Sequence, residues 1–307
     1  MAQAYADTVQ RSPPVLVEIF NRPVMVAHLK RRLGPVPLLL HLGNDPRGMD
    51  GSRSVTERHK LLAATAAVVC VSEFIRRCFL DGLDGPRQSV HVIHTGVATP
   101  AEDKSGKTSR IVFVGRIVPE KGVLELVQAL ARVLPHYPDW SALIIGARWF
   151  GAGEKPTSFE RKVALVASAC NRIVLGGFRP HAEVLAALAT ASIAVVPSKW
   201  DDPFPRTALE ALAAGCALVC SRRGGLPEIG EERAVFLDEV TAPALATTLE
   251  HLISVDSTRK AVQHSGRDDF PFDIVRTTSH LDDLRDGLLG KSHAGLVFEP
   301  KAITSPS

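Results

Sequence analysis

Short apolar runs alternate with stretches of helical apolar spacing along most of this chain. The second half contains runs that predict short buried strands at 111–114, 142–145, 173–177, 193–196 and 217–220. Helical spacing follows at 123–133, and residues 207–214 are strong helix formers. Regular alternation from Arg110 to about Ile253 favours a parallel sheet with helices on both faces, which is one complete Rossmann-like domain.

The first half shows the same alternation over a shorter length. Strands are expected at 15–19, 36–42, 67–71 and 89–93, and helices near 24–32, near 56–66 and after Ser72. The polar run 99–109 has the composition of a linker, and a final helix is expected over 274–289. The pattern predicts an α/β protein with a first domain at 1–98, a linker at 99–109, a second domain at 110–268, a final helical segment at 269–290 and a loose tail at 291–307.

Composition narrows the function classes. The chain has 307 residues, 45% hydrophobic and 22% charged, which is typical of a soluble globular protein with two domains. A net charge of +3 and few aromatic residues disfavour nucleic acid as a partner but allow weak, peripheral attraction to an anionic membrane. No bilayer-spanning stretch or signal peptide is found, so we expect the cytoplasm, including the inner face of the membrane. The five cysteines lack metal-ligand spacing and suit buried, reduced thiols.

Two carboxylates, Asp202 and Glu210, stand eight positions apart at the junction of a loop and a helix. Pro203 and Pro205 interrupt the loop, so Asp202 precedes the helix and Glu210 lies about one turn inside it. A lone glutamate is usually a surface residue, but this helix is apolar nearly all round, so a charge within it needs a partner or a ligand. Carboxylates accept hydrogen bonds from sugar hydroxyls and a helix start binds phosphate, which together indicate a sugar-nucleotide site.

A basic pair, Arg116 and Lys121, falls on the turn between strand 111–114 and helix 123–133. Ligands of doubly wound sheets bind at the carboxyl ends of strands, and a helix start favours anions, so this pair is well placed to hold a diphosphate. Basic loop residues alone are usually just solvated. Their combination with Glu210 favours the functional interpretation.

These motifs resemble those of the retaining GT-B glycosyltransferases of family 4, also called glycosyl transferases group 1. The stretch 202–210 resembles the family's two acidic residues separated by seven positions, with Asp202 in place of the usual first Glu. Further matches, in the strand-to-helix turn, are Gly115, Arg116, Lys121 and Gly122. The resemblance implies that Asp202 contacts the donor-sugar hydroxyls, that Glu210 contacts the ribose and that the basic pair contacts the diphosphate.

Weaker matches complete the predicted nucleotide-sugar site. In the resembling enzymes the loop after strand 173–177 meets the nucleotide base, so Gly177 and Phe178 are candidates for base contact; a simple tight turn is an equally good interpretation. The site is also expected to include the loop and helix start around the acidic pair, through Phe204, Arg206 and Thr207. The segment Gly224-Gly-Leu-Pro-Glu228 resembles a family loop whose implied role is mainly structural.

Several motifs of other classes do not occur in the chain. We find no Asp-x-Asp pair, no glycine-rich dinucleotide fingerprint and no P-loop. No metal or other cofactor is therefore expected beside the nucleotide-sugar donor. A nicotinamide-dependent sugar epimerase or dehydrogenase is set aside for the same reason.

The first half resembles the family as well, through residues 19–23, 41–46, 71–74 and 92–97, but with two departures. The family ordinarily begins with further βα units before the segment that matches Val15, so we expect the N-terminal domain to be incomplete. The family's sugar-site histidine would fall on Gly43. His41 lies two residues earlier on the same strand face, and we interpret His41 and His94 as ordinary polar residues near a cleft rather than as catalytic groups.

The resemblance implies two Rossmann-like domains that face a cleft, with the helix in 269–290 crossing back to the first domain. It implies sugar transfer with retention from a UDP- or GDP-type donor to a glycan or lipid-linked acceptor, in cell-surface polysaccharide biosynthesis. The implied catalytic residues are Arg116, Lys121 and Asp202, without a metal. The alternative is a non-catalytic remnant that binds a nucleotide sugar, which the missing first units and Gly43 favour.

Overall fold

The computed structural model describes residues 14–84, 88–99, 106–148, 155–267 and 270–290. A first sheet has four parallel strands in the order β1-β2-β3-β4. These strands are Val17–Phe20 (β1), Leu38–Leu42 (β2), Ala67–Cys70 (β3) and Val90–Val92 (β4). The helices between them are Val24–Leu33 (α1), Val55–Ala64 (α2) and Glu73–Leu80 (α3).

A second sheet has six parallel strands in the order β10-β9-β8-β5-β6-β7. The strands are Thr108–Val114 (β5), Ser141–Ile145 (β6), Ile173–Gly177 (β7), Ala191–Val196 (β8), Ala217–Ser221 (β9) and Ala234–Leu237 (β10). The helices are Val123–Val133 (α4), Ser158–Ala167 (α5), His181–Thr190 (α6), Arg206–Ala213 (α7), Leu226–Gly230 (α8), Ala242–Ser254 (α9), Asp256–Arg267 (α10) and Ile274–Leu288 (α11). The chain order reverses between β5 and β8, which is where a doubly wound sheet opens a crevice at its carboxyl edge.

Helices cover both faces of the second sheet, so its strands are apolar on both sides. Ile111 and Phe113 of β5 join a core cluster that includes Leu126 of α4. Val112, between them, points to the opposite face and joins the cluster around Leu209 of α7. Successive residues of a strand alternate between faces, so an unbroken apolar run is needed where both faces are buried.

The last helix, α11, crosses back and covers one face of the first sheet. Its residues Leu281, Leu284 and Leu288 pack against Leu39 of β2 and Val69 of β3. The contact joins the end of the described chain to its beginning. The expected crossover helix therefore has a packing role in the first domain.

An ion pair fixes the same contact. The Arg285 guanidinium of α11 donates to the Glu18 carboxylate of β1, with 2.8 Å between Nε and Oε1. The other oxygen of Glu18 lies 2.8 Å from His41 Nε2. Burial alone would raise the pKa of Glu18, but the hydrogen bonds and charges of Arg285 and His41 outweigh burial and hold that pKa below its usual range.

The predicted α/β class is confirmed, and the described strands and helices that the pattern predicts occur within a few residues of the expected bounds. Two details differ. Thr108 and Ser109, the last residues of the predicted linker, are the first residues of β5, because Thr108 pairs with Ala191 of β8. Strand β10 and helices α5, α6, α8, α9 and α10 were not individually predicted. Helix α10 is largely polar and packs on the core through residues such as Val262. The predictions for 100–105, 149–151 and 291–307 lie outside the described residues.

All five cysteines are buried with free thiols. Burial raises the pKa of Cys216 to about 11, and that of Cys220 to about 12. Such thiols are protonated at neutral pH and are therefore poor nucleophiles. In the described part of the chain, no helix combines the length and the apolar composition that crossing a membrane requires.

The Lys107 amine, at the end of the predicted linker, binds two helix ends. Its Nζ donates to the carbonyl oxygens of Leu188 at 3.2 Å and Ala189 at 2.9 Å, in the last turn of α6. It also donates to the carbonyl oxygen of Ala214 at 2.7 Å, directly after α7. The carbonyl groups at a helix end carry partial negative charge, which a lysine amine complements.

We predict that Lys107→Met lowers the free energy of unfolding of the second domain by about 2 kcal/mol, because the hydrogen bonds from a charged group are lost while the chain length is kept. Urea denaturation gives the size of the effect, and hydrogen exchange at the β8 and β9 amides assigns it to this domain. Lys60→Met, at an exposed position of α2, is the matched control. Equal losses in both variants would contradict the prediction.

Candidate functional site

A cleft of about 570 Å³ opens at the carboxyl ends of β5, β6 and β7, beside the start of α7. It brings together most of the predicted site residues, namely Gly115, Arg116, Lys121, Phe178, Asp202, Arg206, Thr207 and Glu210. These residues are widely separated along the chain. They meet because the parallel strands of one sheet all end at the same edge.

Helix α7 begins at the cleft wall. Pro205 occupies the position before its first residue, with φ of −71°, so the proline ring fixes the direction in which the chain enters the helix. Arg206 and Thr207 form the first turn, where backbone N–H groups have no partner earlier in the helix. The cleft therefore receives the positive end of the helix dipole, which favours an anion.

Lys121 ends a short 3₁₀ turn after β5, and its amine forms an ion pair with the Asp202 carboxylate. The amine also lies 5.4 Å from the centre of the Trp200 ring. The side chains of Lys121 and Asp202 are 18% and 9% exposed, so each charge relies largely on the other. A phosphate that enters the cleft would compete with Asp202 for Lys121.

Glycine allows this turn to approach the neighbouring strand end. Gly122 has φ of +66°, and a Cβ there would lie 2.0 Å from the carbonyl oxygen of Pro197. Any other residue would push the turn away from β8 and move Lys121 with it. Arg116, nearer to β5, is exposed at the cleft.

Glu210 lies one turn inside α7 and only 5% of its side chain is exposed. Its Oε1 atom is 2.9 Å from Nε2 of His181. The same oxygen accepts from Nη2 of Arg206 at 3.3 Å. The apolar surroundings of Glu210 in the sequence predicted that its charge needs a partner, but they did not identify His181. His181 is the first residue of α6 and lines the same cleft.

Two predicted site residues do not line the cleft. Gly177 ends β7, where its carbonyl oxygen accepts from the Gly146 amide at 2.8 Å. Phe204 is 6% exposed and stacks on His94 with 4.8 Å between the ring centres. Phe204 thus belongs to the contact between the two domains, and Phe178 is the member of the base-site pair that lines the cleft.

A second cleft of about 540 Å³ lies between the domains and shares His181, Arg206 and Glu210 with the first. Its walls also include His41 and His94 from the first domain. His41 stacks on Phe20 at 4.2 Å, and burial holds the pKa of His41 below its usual range, although Glu18 acts in the opposite direction. The neutral imidazole is therefore favoured at neutral pH.

Residues of the first domain hold the loop that carries Asp202. The Ser72 hydroxyl donates to the carbonyl oxygen of Pro203 at 2.8 Å. Glu228 belongs to the 224–228 segment whose predicted role is mainly structural, and it lies in helix α8. Its carboxylate accepts from the backbone amides of Glu73 at 2.7 Å and Phe74 at 2.8 Å. A carboxylate at the start of α3 is favourable because the helix dipole is positive there. The cleft is thus tied to the domain interface on one side.

Two known bacterial proteins are similar to this chain in sequence. Spore coat protein SA of Bacillus subtilis is 26% identical over 248 residues, which make up 75% of this chain and 66% of that protein. D-inositol 3-phosphate glycosyltransferase of Corynebacterium efficiens is 33% identical over 206 residues, or 61% of this chain and 47% of that enzyme. This chain covers less than two thirds of the length of either relative.

The fold also matches solved structures. The crystal structure of HepE from Anabaena in complex with UDP-glucose has a TM-score of 0.74 at 18% identity, over 93% of this chain and 82% of that one. The match confirms two Rossmann-like domains of the GT-B type. Residues 98–269, which include β5 to β10 and all the residues of the first cleft, match the sequence model of the family described as glycosyl transferases group 1. The chain belongs to the glycosyl transferases group 1 family.

Proposed function

We propose that this protein is a glycosyltransferase that uses a UDP- or GDP-type sugar donor. The observation that carries the proposal is the convergence of Arg116, Lys121, the start of α7 and Glu210 on one cleft. Two cations and a helix start suit a diphosphate, and a buried carboxylate suits the hydroxyls of a ribose. HepE from Anabaena was crystallised with UDP-glucose, which is consistent with this donor class.

The pairing of Lys121 with Asp202 provides a way to couple recognition of the diphosphate and the sugar. The diphosphate attracts Lys121 and weakens its ion pair with Asp202. The Asp202 carboxylate then becomes available to accept hydrogen bonds from the donor-sugar hydroxyls. Lys121 then pairs with the phosphates and Asp202 accepts hydrogen bonds from the hydroxyls, so neither group is left without a partner.

Catalysis in this proposal is electrostatic. As the bond between the anomeric carbon and the diphosphate breaks, negative charge develops on the phosphate oxygens. The acceptor hydroxyl forms the new bond to that carbon and gives its proton to the departing phosphate oxygen. Arg116, Lys121 and the α7 dipole stabilise that charge in place, and no enzyme nucleophile or metal ion takes part. We propose that transfer follows the retaining course of family 4, which NMR of the anomeric proton in the first-formed product would test.

The acceptor is proposed to approach from the first domain, where the second cleft adjoins the donor site through Glu210 and Arg206. By resemblance, the acceptor is a glycan or lipid-linked glycan in cell-surface polysaccharide synthesis. The Corynebacterium relative is named for transfer to D-inositol 3-phosphate, so an inositol phosphate is a second acceptor class to assay. A lipid-linked acceptor would bring the protein to the inner face of the membrane, whereas nucleic acid has no place in the proposal.

A second candidate is a protein that binds a nucleotide sugar without transferring it. The observation that favours it is Gly43, which stands where the resemblance places the sugar-site histidine. The Gly43 amide donates to Asn21 Oδ1 at 2.7 Å, and the position offers no side chain to the cleft. Nucleotide binding without sugar transfer or donor hydrolysis would decide for this candidate.

We predict that the double variant Arg116→Ala, Lys121→Ala binds UDP and GDP at least about a hundredfold more weakly than the wild type, since each charge-assisted contact contributes roughly 1.5–3 kcal/mol. Isothermal titration calorimetry measures both affinities. Arg132→Ala, at an exposed position of α4, is the control and should bind as the wild type does. Unchanged affinity in the double variant would contradict the proposal that the diphosphate binds at this turn.

The two carboxylates are predicted to differ in role. Glu210→Gln should weaken binding of the free nucleotide, because the amide keeps the volume but has one acceptor oxygen instead of two. Asp202→Asn should not weaken binding of the free nucleotide, because it frees Lys121 for the diphosphate, and should lower the transfer or donor-hydrolysis rate instead. Calorimetry and a product assay separate the two effects. Equal losses of nucleotide affinity in both variants would refute the division into ribose and sugar contacts.

A further inference from the structure

His181 occupies a place that the diphosphate and sugar contacts do not use. It is the first residue of α6, and its Nε2 atom lies 2.9 Å from Oε1 of Glu210. The His181 side chain is 58% exposed, whereas that of Glu210 is 5% exposed. An exposed histidine that lines the cleft thus contacts a buried carboxylate.

Both partners of Glu210 act on the same oxygen. His181 and Arg206 contact Oε1. Among the residues that the structure describes, Oε2 has no hydrogen-bond partner. A carboxylate held at one oxygen by Arg206 of its own helix and by His181 of α6 has little freedom to rotate, so its other oxygen keeps a fixed direction and its lone pairs stay available.

The contact between His181 and Glu210 differs from a simple surface ion pair in its surroundings. Glu210 sits between Leu209 and Ala211, which are fully buried. Arg206 is 60% exposed, so its interaction with Glu210 is weakened by water. His181 is a flat, short side chain whose position follows from the start of α6, and its contact with Glu210 needs little ordering.

We propose that His181 is a positioning residue that aims the Glu210 carboxylate at the ribose hydroxyls and so makes the donor site selective for ribonucleotides. The inference rests on the proposed function, because it requires a nucleotide in the first cleft. His181 acts through Glu210, and its contribution therefore depends on a hydroxyl being present on the ligand. A residue that only stabilised the fold would affect ribonucleotides and dideoxynucleotides alike.

The test measures binding by calorimetry of whichever of UDP and GDP binds the wild type more tightly, and of its 2′,3′-dideoxy analogue. In His181→Phe, the affinity for the ribonucleotide should fall roughly five- to tenfold, as expected for one lost hydrogen bond to a charged group. The affinity for the dideoxy analogue should stay within about twofold. His181→Gln places an amide N–H near the position of Nε2 and should recover most of the loss.

Two further measurements make the result decisive. In a Glu210→Gln background, His181→Phe should produce little additional loss, because the group that it positions has been changed. His136→Phe, at an exposed position directly after α4 and remote from the cleft, should bind both ligands as the wild type does. Equal losses for the ribonucleotide and the dideoxy analogue, or no loss in His181→Phe, would overturn the inference. If the wild type binds neither UDP nor GDP, the proposed function fails and this inference fails with it.

Discussion

The site depends on two carboxylates that lie among apolar residues and must each be paired. A buried, unpaired carboxylate is costly, so the protein supplies a cation or hydrogen-bond donor to both. Asp202 has Lys121, and Glu210 has His181 and Arg206. These partners come from the turn after β5, the start of α6 and the start of α7. The two pairings therefore join the elements that the sheet has already brought to this edge.

The same cleft is linked mechanically to the first domain. Ser72 holds the carbonyl of Pro203, next to Asp202, and Glu228 holds the start of α3. A relative movement of the domains would therefore change the loop that carries Asp202. By contrast, Glu210 and its histidine partner both lie on helices of the second domain, so their contact is independent of that movement. The two carboxylates of the cleft are thus held by different parts of the structure: Asp202 by a loop tied to the first domain, and Glu210 within the second domain alone.

Apolar spacing predicted most strands and helices. Local motifs predicted which residues line the cleft, but they did not predict which side chain pairs with Glu210. Lys121 and Glu210 lie in motifs whose spacing places them near strand-to-helix turns, and such spacing is visible in one sequence. His181 was missed because its partner is 29 positions away and the pair is set by the packing of α6 against α7. Phe204 and Phe178 both lie in loops after strands, and only the position of the first domain distinguishes them. Phe204 stacks on a ring of that domain, whereas Phe178 lines the cleft.

Contacts at the second cleft join segments that are still further apart along the chain. His41 is held by Glu18, and Glu18 is held by Arg285, 267 positions later in the chain. The orientation of an imidazole at the second cleft thus depends on the last described helix. Helix α11 packs on β2 and β3, and Asp273, directly before it, forms a β-bridge with Val97 at the end of the first domain. Helix α11 is thus held to the first domain at both ends, and the orientation of His41 is set within that domain.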